Sequence, residues 1–186
     1  NEPPLKRQRI NVSEGTNMIV LTTTMGKIGI KLDFENAPIS SQNFLQYARE
    51  EFYVGTVFHR VIDDFMIQGG GLNTDLIEKP SRDPIINEAD NGRSNAIGTI
   101  AMARTSDPNS ASSQFFINVA DNDFLNHTDK TQQGWGYAVF ADVVEGMEVV
   151  NHIKSVATGS ERYHRDVPSE LIEITEIHIS NAYDQY

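Results

Sequence analysis

The 186-residue chain has no cysteine and no long hydrophobic run. The absence of cysteine excludes disulfides, thiol catalysis and cysteine-based metal sites. No apolar stretch approaches the roughly 20 residues that a transmembrane helix needs, so we expect no membrane partner, and no signal peptide is visible. We therefore expect a cytoplasmic location. The periplasm or another compartment stays an alternative because the sequence begins with Asn1 and not with Met.

Basic residues are also scarce relative to acidic ones. The chain has 15 Lys and Arg against 26 Asp and Glu, which gives a formal net charge of −11. A surface of this sign repels polyanions, so we expect no nucleic-acid partner. The five histidines lack the His-x-x-x-His spacing of metal sites, and we expect neither a metal nor a cofactor.

The length predicts one domain, and we expect a monomer. Residues 1–17 differ from the rest because they are poor in apolar residues and contain Pro3-Pro4 and the basic cluster Lys6-Arg7-Gln8-Arg9. We predict a flexible N-terminal tail there, with a nuclear-targeting or polyanion-binding patch as the alternative. The main domain is predicted over residues 18–180, and a C-terminal tail over residues 181–186.

Alternating apolar residues predict β-strands along most of the domain. We expect a hairpin over residues 18–32 with its turn at Met25-Gly26, and further strands near 56–62, 66–70, 97–103, 114–118, 137–143 and 172–179. Helices are predicted from Pro38 and over 146–156. In the last strand, Ile172 and Ile174 share one alternation and Ile177 and Ile179 the other. The change at Thr175-Glu176 predicts a β-bulge. The fold class is mainly β: a closed eight-stranded antiparallel β-barrel capped by two α-helices.

One segment, residues 58–71, combines polar and apolar side chains in an unusual way. It predicts two strands joined by the acidic turn Asp63-Asp64. Alternation places Arg60 on the face of Phe58 and Ile62, and Gln68 on the face of Met66. Either Arg60 is an edge-strand arginine that extends its charged end to water, or the segment forms a shallow apolar pocket with a cation and an amide at its edge.

A second segment, residues 111–118, repeats the combination of an amide with an aromatic ring. Its sequence is Ala-Ser-Ser-Gln-Phe-Phe-Ile-Asn. Alternation places Gln114, Phe116 and Asn118 on one face of the predicted strand, opposite Phe115 and Ile117. This second pairing favours the pocket.

The two segments resemble the motifs of the cyclophilins, the cyclophilin-type peptidyl-prolyl cis–trans isomerases. The resemblance continues through Gly98-Thr99-Ile100-Ala101-Met102-Ala103-Arg104, Asp123-Phe124-Leu125-Asn126 and Gly136-Tyr137-Ala138-Val139-Phe140, and it covers roughly residues 18–180. Several long motifs in the same order are far more specific than one short pattern. The sequences Asn-Asp-Phe-Leu-Asn and Gly-Trp-Gly-Tyr are most similar to the bacterial members.

The resemblance implies an isomerase that accelerates X–Pro bond isomerisation in proline-containing peptides and in unfolded or folding client proteins. Arg60 is implied as the catalytic donor to the prolyl nitrogen, and Gln68 as the amide that holds Arg60 and the substrate carbonyl. The implied floor and walls of the proline pocket are Phe65, Met66, Phe116 and Leu125. The implied peptide-binding groove consists of Ala103, Gln114 and Arg104, the last through its main chain.

Two positions depart from the best-known eukaryotic pattern. Phe124 stands where those members carry tryptophan, and Tyr137 stands where they carry histidine; both are implied substrate-binding residues. The loop between Asn126 and Gly136 is also longer. Because phenylalanine lacks the indole N–H donor, we expect cyclosporin to bind only weakly.

No nucleophile with an adjacent base is visible in the sequence, which fits a non-covalent reaction. A proline-peptide binding module with incidental turnover is the alternative, since it would use the same pocket. The presence of Arg60 together with Gln68 favours the enzyme, because binding alone needs only the apolar pocket and backbone groups.

Overall fold

An eight-stranded antiparallel sheet forms the body of the protein. The computed structural model describes residues 17–186, so the predicted tail lies outside the described residues except for Asn17. The strands of this sheet are β1 (Ile19–Thr23), β2 (Gly26–Leu32), β3 (Arg60–Ile62), β4 (Met66–Gly69), β5 (Thr99–Met102), β6 (Phe115–Asn118), β7 (Val139–Glu145) and β10 (Ile174–Ile179). Their order in the sheet is β10-β1-β2-β7-β5-β6-β4-β3. The predicted mainly β class is therefore confirmed.

The sheet curls but does not close completely. The edge strands β3 and β10 do not pair with each other. Residues 55–58 and 172–174 instead make three backbone hydrogen bonds of 2.8–2.9 Å where the two edges approach. The prediction of a closed barrel was overstated, because β3 has only three residues and strand β9 (His164–Pro168) packs beside it.

Two helices cover the sheet as predicted. Helix α1 (Pro38–Arg49) begins with proline in its first turn, where the missing N–H has no intrahelical partner to lose. It buries an apolar stripe of Phe44, Leu45 and Ala48. Helix α2 (Met147–Lys154) buries Val149, Val150 and Ile153. The prediction began this helix one residue too early and ended it two residues too late.

The predicted β-bulge in the last strand is confirmed. Thr22 on β1 pairs with Glu176, whereas the next residue, Thr23, pairs with Ile174, so Thr175 is the extra residue. The extra residue brings isoleucines of both parities to the same face of the sheet. Ile174 is buried there, and the partly buried Ile177 and Ile179 pack against the core. The first hairpin turns at Thr24-Met25, one residue earlier than predicted.

Two parts of the chain differ from the sequence-based expectations. Strands β8 (Thr158–Glu161) and β9 form a separate hairpin that we missed, because all four residues of β8 are exposed and carry no apolar alternation. The C-terminal six residues pack against the domain. Tyr183 is fully buried, and the ring of Tyr186 stacks on Phe34 at 3.8 Å. The boundary at residue 180 therefore does not separate a tail from the domain.

The buried hydroxyl of Tyr183 generates a stability prediction. It accepts a hydrogen bond from the buried Leu32 N–H at 3.0 Å. Replacement of Tyr183 by Phe leaves that N–H without its partner, so we expect the free energy of unfolding to fall by about 1–3 kcal/mol in urea denaturation. The control is Tyr163→Phe, because Tyr163 is fully exposed. Equal stability of the two variants would contradict the assigned role of the Tyr183 hydroxyl.

Candidate active site

Polar side chains from two neighbouring strands and from the segment just before a third form a line. The register pairs Arg60 on β3 with Gln68 on β4, and Gln68 with Phe116 on β6. Arg60 Nη1 donates to Gln68 Oε1 at 3.4 Å, and Gln68 Nε2 donates to Gln114 Oε1 at 3.0 Å. Arg60 itself is exposed. The guanidinium is therefore held from one side by an amide and remains open to a ligand on the other.

A cavity with mostly aromatic and aliphatic lining residues lies beside this polar line. Its volume is about 130 Å³, smaller than the roughly 300–1,000 Å³ of pockets for drug-sized ligands, and it suits a single small ring. Most of the predicted site residues line it: Arg60, Phe65, Met66, Gln68, Ala103, Arg104, Phe116, Leu125 and Tyr137. Both structures that the sequence left open for Arg60 are present together, because Arg60 is exposed on the edge strand β3 and also lines this cavity.

The pocket lies on the face of the sheet opposite the main core. Met66, Ala101, Phe116, Leu125 and Val139 form a separate buried apolar cluster there, while their strand neighbours point into the core. Phe65 reaches the cavity from the β3–β4 turn, which Asp64 closes in the left-handed region at φ 61°. The floor is thus built from strands, and the walls come from the turn and loops that flank them.

The residues expected to form a peptide-binding groove lie close together only in part. The Ala103 N–H donates to the Gln114 carbonyl at 3.0 Å, which joins two of the expected groove residues. The Arg104 side chain also contributes, which the sequence did not indicate. Its guanidinium carbon lies 4.4 Å from the centre of the Tyr137 ring, and its Nε donates to the Gly136 carbonyl at 3.0 Å. Arg104 therefore braces the rim residue Tyr137.

Two predicted residues do not line the cavity. Gln114 reaches it only through its hydrogen bond to Gln68. Phe124 is 74 % exposed and lies outside the pocket, with its ring 5.6 Å from that of Phe65. A ligand confined to the cavity would therefore not contact Phe124.

Three buried asparagines beneath the pocket were missed as candidates: Asn95, Asn118 and Asn122. One signal was available for Asn118, because it shares the strand face of Gln114 and Phe116. For the other two no pattern in the sequence indicated burial, since both lie in irregular segments.

A buried histidine precedes the exposed arginine. His59 is 7 % exposed, and its ring lies 5.9 Å from that of His164. Burial lowers the pKa of His59 from 6.5 to about 4, and the nearby His164 and Arg60 act in the same direction. His59 is therefore neutral at pH 7.

Three further features of residues 17–186 bear on other kinds of site. No three acidic or histidine side chains there come close enough together to hold a metal ion. No helix in this part of the chain has the length and apolar character to cross a membrane. A larger cavity of about 400 Å³ lies between residues 74–76 and the β8–β9 hairpin, but no aromatic ring lines it.

The pocket and the fold place the chain in a known class of proteins. The family model described as cyclophilin type peptidyl-prolyl cis-trans isomerase/CLD matches residues 18–179. The chain belongs to this family.

Its relatives confirm the likeness to bacterial members. The chain is 53 % identical to peptidyl-prolyl cis-trans isomerase B of Escherichia coli (strain K12) over 163 residues, which cover 88 % of this chain and 99 % of the relative. It is 56 % identical to the isomerase cyp18 of Streptomyces antibioticus, and the match covers 84 % of this chain and 94 % of that relative. Among solved structures, a Cryptosporidium parvum cyclophilin crystallised in the presence of the dipeptide Ala-Pro matches with a TM-score of 0.69 at 26 % identity, covering 87 % and 98 %.

The low pKa of His59 predicts a pH dependence of stability. In the unfolded chain His59 binds a proton below about pH 6.5, whereas in the folded protein it does so only below about pH 4. The stabilisation is fully present above about pH 6.5 and is lost as the pH falls towards about 4, because the unfolded state then binds more protons. Between pH 7.5 and pH 4.5, we expect the wild-type protein to lose roughly 2–3 kcal/mol more unfolding free energy than His59→Gln.

Denaturation curves at the two pH values measure this difference. The matched control is His178→Gln, because His178 is exposed on β10. We expect this variant to follow the pH dependence of the wild-type protein. Parallel curves for wild type and His59→Gln would show that burial of His59 does not carry the effect.

Proposed function

We propose that this chain isomerises X–Pro peptide bonds in the described pocket, with Arg60 as the catalytic residue. The observation that carries the proposal is the position of an exposed guanidinium, held by Gln68, at the rim of a ring-sized cavity whose floor is Met66 and Phe116. The prolyl ring would occupy the cavity over Met66 and Phe116, and its nitrogen would face Arg60.

The size of the barrier sets what the site must supply. Resonance of the amide gives a barrier of roughly 18–20 kcal/mol, so an uncatalysed X–Pro bond interconverts in tens to hundreds of seconds. Isomerisation in milliseconds needs about four to five decades of acceleration, or roughly 5–7 kcal/mol. No covalent chemistry is required for a contribution of this size.

Arginine suits the reaction because of what changes at the twisted state. The prolyl nitrogen loses conjugation with the carbonyl and gains a lone pair. A donor aimed at this nitrogen stabilises the twisted state and not the planar one, which is the differential binding that accelerates a step. The guanidinium is always charged and planar, and its hydrogen bond to Gln68 limits its rotation. Gln68, which also bonds Gln114, would orient the substrate carbonyl.

We infer that the substrates are exposed X–Pro bonds in peptides and in unfolded or folding protein clients. The relative crystallised in the presence of Ala-Pro supports a small residue before proline. The expected monomer, the cytoplasmic location and the lack of nucleic-acid binding stay predictions. Sedimentation analysis, fractionation of source cells and a filter-binding assay with RNA and DNA would test them in turn.

A binding module that uses the same pocket without useful turnover is the second candidate. Both candidates predict that the protein keeps its affinity for an Ala-Pro peptide when Arg60 is removed, so affinity does not distinguish them. The two differ in rate, because only the enzyme accelerates isomerisation of a short Ala-Pro peptide by several decades at micromolar concentration.

Replacement of Arg60 tests the mechanism. We expect Arg60→Ala to lower kcat/KM for an Ala-Pro peptide by at least about a hundredfold, because the variant lacks the donor to the twisted state. The fold should survive, since Arg60 is exposed. Arg60→Lys should restore little activity, because a flexible ammonium cannot be held in the direction of the nitrogen.

The control for this series is Lys31→Ala. Lys31 is an exposed cation on β2, and four strands separate β2 from β3 in the sheet. Loss of Lys31 changes the net charge equally, so it reports any general electrostatic effect. Near-normal turnover in Arg60→Ala would reject the mechanism, and an equal loss in Lys31→Ala would assign the effect to net charge.

Phe124 predicts weak binding of cyclosporin. Its exposed ring gives an apolar contact beside Phe65 but no hydrogen-bond donor. We expect Phe124→Trp to tighten cyclosporin binding by roughly 0.5–1.5 kcal/mol, the net worth of one hydrogen bond. Titration calorimetry on wild type and variant measures the change. Equal affinities would show that the missing donor does not limit binding.

A further inference from the structure

Three asparagines form a hydrogen-bonded network underneath the pocket. Asn95 and Asn118 are completely buried, and Asn122 is 3 % exposed. Burial of a polar amide costs free energy unless its donors and acceptor find partners. The partners of these amides therefore indicate what the network does.

The hydrogen bonds run in one direction through the network. Asn122 Nδ2 donates to Asn118 Oδ1 at 2.8 Å, and Asn118 Nδ2 donates to Asn95 Oδ1 at 3.0 Å. Asn118 Nδ2 also donates to Thr99 Oγ1 at 3.0 Å, while that hydroxyl donates to the Ala96 carbonyl. All three side-chain amides are thus joined in one chain.

Both ends of the network reach the walls of the pocket. At one end, Asn122 Nδ2 donates to the Phe65 carbonyl at 2.8 Å. At the other end, Asn95 Nδ2 lies 3.3 Å from the Leu125 carbonyl and 3.2 Å from the Tyr137 carbonyl. Since carbonyl oxygens only accept, they determine the orientation of both terminal amides, and the orientation of Asn118 follows.

The three carbonyls belong to wall residues that come from separate parts of the chain. Phe65 lies in the β3–β4 turn, Leu125 ends the 3-10 helix Asp123–Leu125, and Tyr137 precedes β7. None of the three residues lies in a strand, so no continuous strand ladder holds all three together. The network supplies a common support, and the Tyr137 N–H adds a bond of 2.9 Å to the Leu125 carbonyl.

We propose that Asn95, Asn118 and Asn122 are positioning residues that hold the three walls of the proline pocket at their working separation. The inference rests on the proposed function of the pocket. The asparagines do not touch the substrate, and they act through the main chain of Phe65, Leu125 and Tyr137. Asparagine suits the role because one side chain supplies two donors and an acceptor on a short stem.

The proposal separates the network from Arg60 kinetically. The walls hold the prolyl ring in the planar and the twisted state alike, so their displacement weakens both states together. Uniform loss of binding raises KM and leaves kcat nearly unchanged. Loss of Arg60, in contrast, removes a contact made in the twisted state and lowers kcat.

The experiment measures kcat and KM separately for an Ala-Pro peptide with Asn95→Ala and Asn122→Ala. Both side chains donate to wall carbonyls, and Asn122 lies nearer the surface, so its variant remains informative if Asn95→Ala does not fold. We expect KM to rise about tenfold, since small displacements in a binding site are costly, and kcat to change by less than about threefold. Hydrogen exchange of the Tyr137 amide should accelerate in both variants.

The matched control is Thr23→Val, which also removes buried side-chain hydrogen bonds. Thr23 is 5 % exposed, donates to the Gly26 carbonyl and accepts from Met25 N–H at the β1–β2 turn. We expect this variant to melt at a lower temperature but to keep the wild-type KM. Assays are run well below all the melting temperatures.

The outcomes distinguish the two proposals. An unchanged KM in Asn122→Ala would overturn the positioning role. The same holds if the variant only shows a lower apparent kcat because a smaller fraction of the enzyme is folded. An equal rise of KM in Thr23→Val would also overturn it, because general destabilisation would then explain the effect. An inactive wild-type protein would instead refute the proposed function.

Discussion

The register of β4 between β3 and β6 is the constraint on which the site depends. It places Arg60 opposite Gln68 and Gln68 opposite Phe116. Because successive side chains of a strand point to opposite faces, a slip by one residue would exchange Gln68 for Ile67 on the outer face. The hydrogen bond to Arg60 and the apolar floor would be lost together.

The main core enforces this register. Ile67, Phe115 and Ile117 point inward and are fully buried in the large apolar cluster under helices α1 and α2. Moving these side chains into water would expose three large apolar groups, at about 1.5–3 kcal/mol each. The inner faces of β4 and β6 therefore hold their outer faces in place, and stability of the fold and geometry of the site have the same origin.

The outer face differs from the core in how it is completed. Strands provide the floor at Met66 and Phe116, but Phe65, Leu125 and Tyr137 come from a turn, a short helix and a loop. Such segments have no ladder of their own to set their spacing. Buried polar side chains are a common solution to this problem, because a hydrogen bond has a direction and a length that apolar contact lacks. The asparagine network sets the spacing of the three walls in this way. The contact of Arg104 with Tyr137 also supports the rim.

Alternation and motif order in the sequence by themselves determined the eight strands of the main sheet, both helices, the bulge at Thr175 and the polar–apolar face of Arg60 and Gln68. These features are local, since each follows from side-chain periodicity within a few residues. Only the tertiary structure decided the incomplete closure of the sheet, the exposed hairpin β8–β9, the packing of Tyr183 and the support of the pocket by Asn95 and Asn122. Each of these depends on partners distant in sequence, and a local pattern does not encode which distant groups meet.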